Sequence, residues 1–151
     1  MLIGGITFTL ASSVRVATSD DGQPVLQQPA ARFSNPRGLR LHRYGQGPFG
    51  QLLLDPLPRE PGVYAVVDAL GEIRYIGRAR DSIAKRWGPA GYRTIHPRNC
   101  FEGGQQTNCR INALIVSLAE RDLLGPSPGP VRRDGQRHPQ GGGGSRHEQS
   151  Y

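Results

Sequence analysis

Little in this chain could staple it covalently or carry it through a bilayer. It has two cysteines, Cys100 and Cys109, one methionine, one tryptophan and a single lysine in 151 residues. Two thiols are too few for a disulfide framework, and no His/Cys spacing beside them suits zinc, so they read as reduced, free thiols in a cytoplasm. The longest apolar stretches, around Leu52–Leu54 and Val63–Val67, are far too short to span a membrane. The opening Met1 to Ser12 has no basic leader and is broken by glycines and threonines, so a secretory signal is not expected. Apolar residues are also sparse, at 36%. With 21 glycines and 13 prolines, part of the chain is expected not to pack.

Basic charge and one dense central block are what the chain does have. Nineteen Lys+Arg face twelve Asp+Glu, a formal charge of +7, and eighteen of the nineteen are arginine. Guanidinium favours phosphate as a planar, bidentate partner. The length allows one compact domain with tails and excludes a two-domain enzyme of ordinary size. Residues 1–48 show no clear periodicity and read as a partly ordered extension. Residues 49–124 hold the strong signals. Residues 125–151, Gly/Pro/Arg-rich with four consecutive glycines at Gly141 to Gly144, read as a disordered tail, because they cannot bury enough surface to offset their ordering entropy.

Within the central block, Gly62 to Asp68 is β-branched and aromatic, and Glu72 to Arg78 alternates polar with apolar. Ala69-Leu70-Gly71 between them is a turn-length gap, so the pair predicts an antiparallel hairpin. Asp81 or Ser82 can cap a short helix, Ile83 to Trp87, ended by Gly88-Pro89. Residues 88–106 read as a loop. A second helix is predicted from Thr107 or Asn108 to about Leu124, with Ile111, Leu114, Ile115 and Leu118 as its buried stripe. The fold class is α+β: a small antiparallel sheet, the hairpin with or without a third strand, flanked by helices.

Two tyrosines on adjacent strands of one hairpin can present both phenols at one edge of a small sheet. Work as a general base at neutral pH would require a phenol to titrate well below its usual ~10. Arg86, Arg78 or a bound metal is the available cause. A planar guanidinium suits the negative charge that builds on phosphorus during phosphodiester cleavage. On composition alone, strand tyrosines are more often packed sheet residues, Arg86 an ordinary helix charge, and Trp87 a core residue covering the hairpin.

Pro61-Gly62-Val63-Tyr64, followed by Tyr75-Ile76-Gly77 and then Lys85-Arg86-Trp87, resembles the GIY-YIG nuclease family. The stretch Asn99-Cys100 through Gln106-Thr107-Asn108-Cys109-Arg110-Ile111-Asn112 is similar to its restriction-endonuclease-like branch. The resemblance covers residues 58–122 and implies an endonuclease that hydrolyses duplex DNA with one divalent ion, Mg²⁺ or Mn²⁺. It implies that Tyr64 activates the attacking water, Tyr75 assists, and Arg86 contacts the scissile phosphate. Arg78, directly after the second motif, is a further phosphate contact, with Arg80, Arg93 and Asn112 as DNA-facing residues. The family has a His or Tyr soon after the helix arginine, a proton donor or second base that Tyr92 or His96 could supply. It also carries a glutamate on the helix behind the hairpin to hold the ion. The first acid on that helix here is Glu120, which at ~100° per residue lies ~180° from Ile111, while Ser117 occupies the place where an acid is expected. Asn112, bordering the stripe, reads equally well as a hydrogen-bonding core-edge residue. The family domain continues into a third strand, whereas this chain enters its Gly/Pro/Arg segment and reads as C-terminally shortened. The rival readings are a DNA-binding module that has lost its metal ligand and a truncated inactive product. Small nucleases with one active site per chain commonly pair to cut both strands, so a homodimer fits the nuclease reading.

Overall fold

The β-branched run and its alternating partner form the longest paired element of the protein. In the computed structural model, which describes residues 1–123, eight strands (β1–β8) and two α-helices follow in order. They are β1 (Leu2–Ile3), β2 (Ile6–Thr7), β3 (Val14–Val16), β4 (Leu26–Gln27), β5 (Phe49–Gly50), β6 (Leu52–Leu54), β7 (Gly62–Val67), β8 (Ile73–Ala79), α1 (Ile83–Arg86) and α2 (Gln106–Leu123). Two 3-10 turns, Pro29–Arg32 and Pro97–Cys100, lie between them. The predicted disordered tail, 125–151, lies outside the described residues.

β7 and β8 pair antiparallel, Tyr64 opposite Gly77 and Val66 opposite Tyr75, with a bulge between Val66 and Val67. Asp68 holds the turn: its Oδ1 accepts from Leu70 N at 3.0 Å and Glu72 N at 2.9 Å, the Asx-type contact that lets a short side chain stand in for backbone. Side chains alternate across a strand. Tyr64 and Val66 are therefore buried inward, while Val63 and Ile76 stand outward at 54% and 50% exposure. Among the described residues the hairpin has no third strand; the sheets are four antiparallel pairs, β1–β2, β3–β6, β4–β5 and β7–β8.

The structure corrects the division at residue 48. β3 pairs with β6 (Val14 opposite Leu54) and β4 with β5 (Leu26 opposite Gly50), so the first segment is woven into the central block. Val16 belongs to one core cluster with Leu52, Tyr64, Val66, Trp87, Tyr92, Ile111, Ile115 and Val116. A second cluster joins Phe49, Ile95, Cys100, Phe101 and Cys109. Both thiols are free and buried, and burial pushes both up, Cys109 to about 12. No helix among the described residues is long and apolar enough to cross a membrane.

The helices fall near their predicted bounds. Ser82 caps α1, its Oγ accepting from Lys85 N at 3.2 Å, which satisfies a first-turn amide. α2 begins at Gln106, a residue earlier than the cap argument gave. Its innermost positions are Asn108, Cys109, Ile111, Asn112, Ile115 and Val116, with Leu114 and Leu118 half-buried. The stripe is thus rotated toward Asn112. That amide accepts from Gly50 N at 2.9 Å and donates to Gly50 O at 2.8 Å and Tyr92 O at 2.9 Å. One side chain ties the strand at residue 50 and the loop at residue 92 to the helix, and its polar atoms are occupied, as burial requires.

Candidate active site

Two glycines decide where the phenols meet. A Cβ at Gly77 would stand 2.5 Å from Tyr64 Cζ and Oη and 2.7 Å from Tyr75 Cε1. Tyr64 therefore lies flat across its hairpin partner toward Tyr75, the ring centroids 6.2 Å apart. A Cβ at Gly91 would overlap Arg86 O. The chain after α1 accordingly doubles back, Tyr92 N donating to Arg86 O at 3.0 Å. That return carries the Tyr92 ring under the hairpin, edge-on to Trp87 at 5.0 Å and to Tyr64 at 6.3 Å.

The hydroxyls converge. Tyr64 Oη and Tyr92 Oη are hydrogen-bonded at 2.6 Å, with either hydroxyl able to donate. Arg86 Nε donates to Tyr92 Oη at 3.1 Å, its guanidinium 5.4 Å from the Tyr92 ring centre. Tyr75 joins from the adjacent strand, near enough that Tyr92 and Tyr64 both perturb its hydroxyl. Tyr92 is fully buried and Tyr64 is 8% exposed, whereas Tyr75 and Arg86 are half-buried and form the solvent side. With Nε donating to Tyr92, Arg86 forms no ion pair among the described residues, and its half-buried guanidinium is left without an anion beside it.

Burial sets the electrostatics, against the sequence expectation. Tyr64 is raised by desolvation, only partly offset by its bonds to Tyr92 and Arg86. Tyr75 is raised by burial and then by Tyr92. Tyr92 is pushed up to about 12 by burial and by Tyr64. A cation does stand beside the phenols, but desolvation of the phenolate outweighs it. All three are neutral at pH 7.

The predicted residues separate cleanly. Tyr64, Tyr75 and Arg86 come together, and of the two candidates for the third base it is Tyr92 that joins them. His96 does not: it is exposed and caps the second 3-10 turn, its Nδ1 accepting from Arg98 N at 3.2 Å. It lines a small cavity of about 340 Å³ with Arg32, Pro89, Thr94, Ile95 and Pro97. Arg78 is opposite Val63 on the outer hairpin face, because strand alternation turns it away from Tyr75. Arg80 is exposed beyond the end of β8. Arg93 is half-buried, its Nε enclosed without a partner. Asn112 is fully buried and committed to backbone, so it faces no DNA. Glu120 is exposed, on the far side of α2 from buried Ile111 as the helical wheel requires. Ser117 spends its hydroxyl on Leu114 O at 3.1 Å.

Among the described residues no three His, Cys, Asp or Glu side chains gather as a metal site, and no carboxylate bonds to the phenols or to Arg86. The donor set around the phenols, three neutral hydroxyls and a guanidinium, does not fit a divalent ion. Sequence reasoning also missed Arg110, whose guanidinium carbon lies 6.0 Å from the Tyr75 ring centre. Its signal was available only as a cation one position before the buried Ile111. Compared with known proteins, the chain matches no family model, no curated protein and no solved structure.

Proposed function

We propose that this protein is a DNA endonuclease of the GIY-YIG type and that the Tyr64–Tyr75–Tyr92–Arg86 cluster is its hydrolytic site. The observation that supports this best is the convergence itself. Tyr64 from β7 and Arg86 from α1 are joined through the Tyr92 hydroxyl. Tyr75 from β8 packs beside them, its ring centre 6.2 Å from that of Tyr64. The Arg86 guanidinium lies at the surface with no ion pair on it among the described residues. A phosphodiester laid there would receive the terminal N–H groups of Arg86 on its non-bridging oxygens, where charge grows as water attacks phosphorus. The new P–O bond forms from water as the P–O bond to the leaving sugar oxygen breaks; the water proton passes to the phenolate of Tyr75, the minor form at pH 7, and the leaving oxygen takes up a proton from solvent. The order of the phenols differs from the one the motif implies. Tyr75 reaches solvent and takes the water-side position, while Tyr64 and Tyr92 stand behind it as a hydrogen-bonded support. A divalent ion, Mg²⁺ or Mn²⁺, belongs to the proposal through the resemblance, and no role of these four side chains depends on it. Duplex DNA as substrate, a cytoplasmic setting and pairing of two copies are part of the same proposal.

That no carboxylate among the described residues bonds to the phenols favours one second reading: a nuclease-derived module that binds DNA without cutting. Supercoiled plasmid incubated with the full chain and Mg²⁺ or Mn²⁺ separates the two. The nuclease reading predicts open-circle product that Arg86→Ala abolishes. Duplex binding with a steep salt dependence and no nicking in either metal would replace it with the binding module.

A further inference from the structure

Beyond the four-residue cluster, guanidinium groups and aromatic rings continue in alternation away from it. Arg110, exposed on α2, stands 6.0 Å from the Tyr75 ring centre and 5.9 Å from that of Tyr44. Arg43, also exposed, lies 4.7 Å over Tyr44. Read in space, the order is Arg86, Tyr92, Tyr64, Tyr75, Arg110, Tyr44, Arg43. The turn that carries the last two is firmly seated. His42 is 6% exposed, its Nε2 meets Asn99 O at 2.5 Å and its Nδ1 accepts from Tyr44 N at 3.1 Å. His42 N donates to Cys100 O at 3.2 Å. A side chain at Gly45 would overlap Cys100 O, so the backbone there lies directly on the second 3-10 turn.

Neither Arg43 nor Arg110 forms an ion pair among the described residues, where the pairs are Arg74–Asp68 and Lys85–Asp81. A guanidinium resting on a ring keeps its edge N–H groups free for an anion. Like charges held close without an acid between them raise the local potential and call for an anionic ligand. We propose that Arg43, Tyr44 and Arg110 form a phosphate-contact track that extends the hydrolytic site along a nucleic-acid backbone, and that this track is what the segment before residue 49 contributes. The proposal rests on the nucleic-acid reading of the phenol cluster.

The test is duplex binding by the full chain, read by fluorescence anisotropy in chelator across a range of KCl, so that no cutting is needed. Arg43→Ala and Arg110→Ala should each weaken binding several-fold at low salt and each lower the log–log salt slope by about 1, the pair by about 2. Arg43→Lys and Arg110→Lys should keep the slope, because the charge remains, and guard against a fold defect in the alanine variants. Arg78→Ala, on the outer hairpin face, should leave affinity and slope unchanged. Wild-type binding whose slope survives in both alanine variants would overturn the track and leave the phenol cluster standing. Failure of the wild-type chain to bind duplex at all would overturn the nucleic-acid reading together with the track.

Discussion

The two faces of the β7–β8 hairpin are built from the same two strands, of six and seven residues, and have opposite chemistry. Inward, Tyr64, Val66, Tyr75 and Gly77 put two phenols over a glycine, against Trp87 and Tyr92. Outward, Val63, Ile76 and Arg78 meet solvent with no hydroxyl between them. Both faces lie beside arginine. Only the inner face has a cation whose Nε is locked to a phenol, so that its terminal donors are aimed rather than free to swing. Proximity to the motif in sequence is therefore a poor guide. Arg78 directly follows Gly77 and points away, whereas Arg86 and Tyr92, further along the chain, complete the site.

The contrast is broken most strongly by removing one inner hydroxyl. Tyr75→Phe should lower plasmid nicking by about 10²–10³-fold with little change in melting temperature, the scale on which one aligned polar group in a reacting site acts. Tyr64→Phe should lose nicking and also stability, by about 1–3 kcal/mol, because it strips the fully buried Tyr92 hydroxyl of a partner. Nicking undiminished in Tyr75→Phe would remove the inner face from the chemistry.

Gly77→Ala sharpens the same point without touching a polar group. Its methyl would collide with both rings, so denaturant unfolding should show a loss of about 1–3 kcal/mol. A variant as stable as the wild type would mean the phenols need not lie over that glycine.

The pH dependence follows from the direction of the phenol shifts. Tyr92 binds its proton more tightly folded, near 12, than unfolded, where a phenol titrates at ~10. The folded state then holds more protons than the unfolded one between those values. The associated stability is complete below pH 10 and is lost as pH climbs toward 12, on the order of 2 kcal/mol. Chemical melts at pH 9 and pH 11 should show that fall, and Tyr92→Phe should flatten it. A profile that instead improves with pH would contradict the burial argument. Nicking, in the same terms, should still be rising at pH 9, because burial raises the Tyr75 phenol and the phenolate that takes the water proton is still the minor form there.

The smallest effect is expected at His96. His96→Ala removes a side-chain cap from a 3-10 turn, costing about 0.5 kcal/mol, and should leave nicking within about two-fold. A hundred-fold loss there would return the histidine to the site.

How much of this was legible follows the range of the signal. The hairpin was, because alternation over six or seven residues and a turn-length gap at Ala69-Leu70-Gly71 are local patterns. The weaving of the first segment was not. β3 and β4 have three and two residues, too short for any periodicity, and their partners lie more than twenty residues away. The neighbouring cation was visible in the sequence but the burial that outweighs it was not, so the phenols were expected to titrate low where the structure raises them. Tyr92 was half-legible, as one of two residues after α1. Tyr44 and Arg110 were silent, since their meeting depends on how the 42–45 turn packs on the 97–100 turn.

One pair of variants tests the central claim most directly: single-turnover plasmid nicking by Arg86→Ala beside Arg78→Ala, each at saturating protein. The account predicts a loss of at least about 10²-fold for Arg86→Ala and less than about two-fold for Arg78→Ala. Equal losses in the two, or a larger one for Arg78→Ala, would show that chemistry does not reside on the inner face.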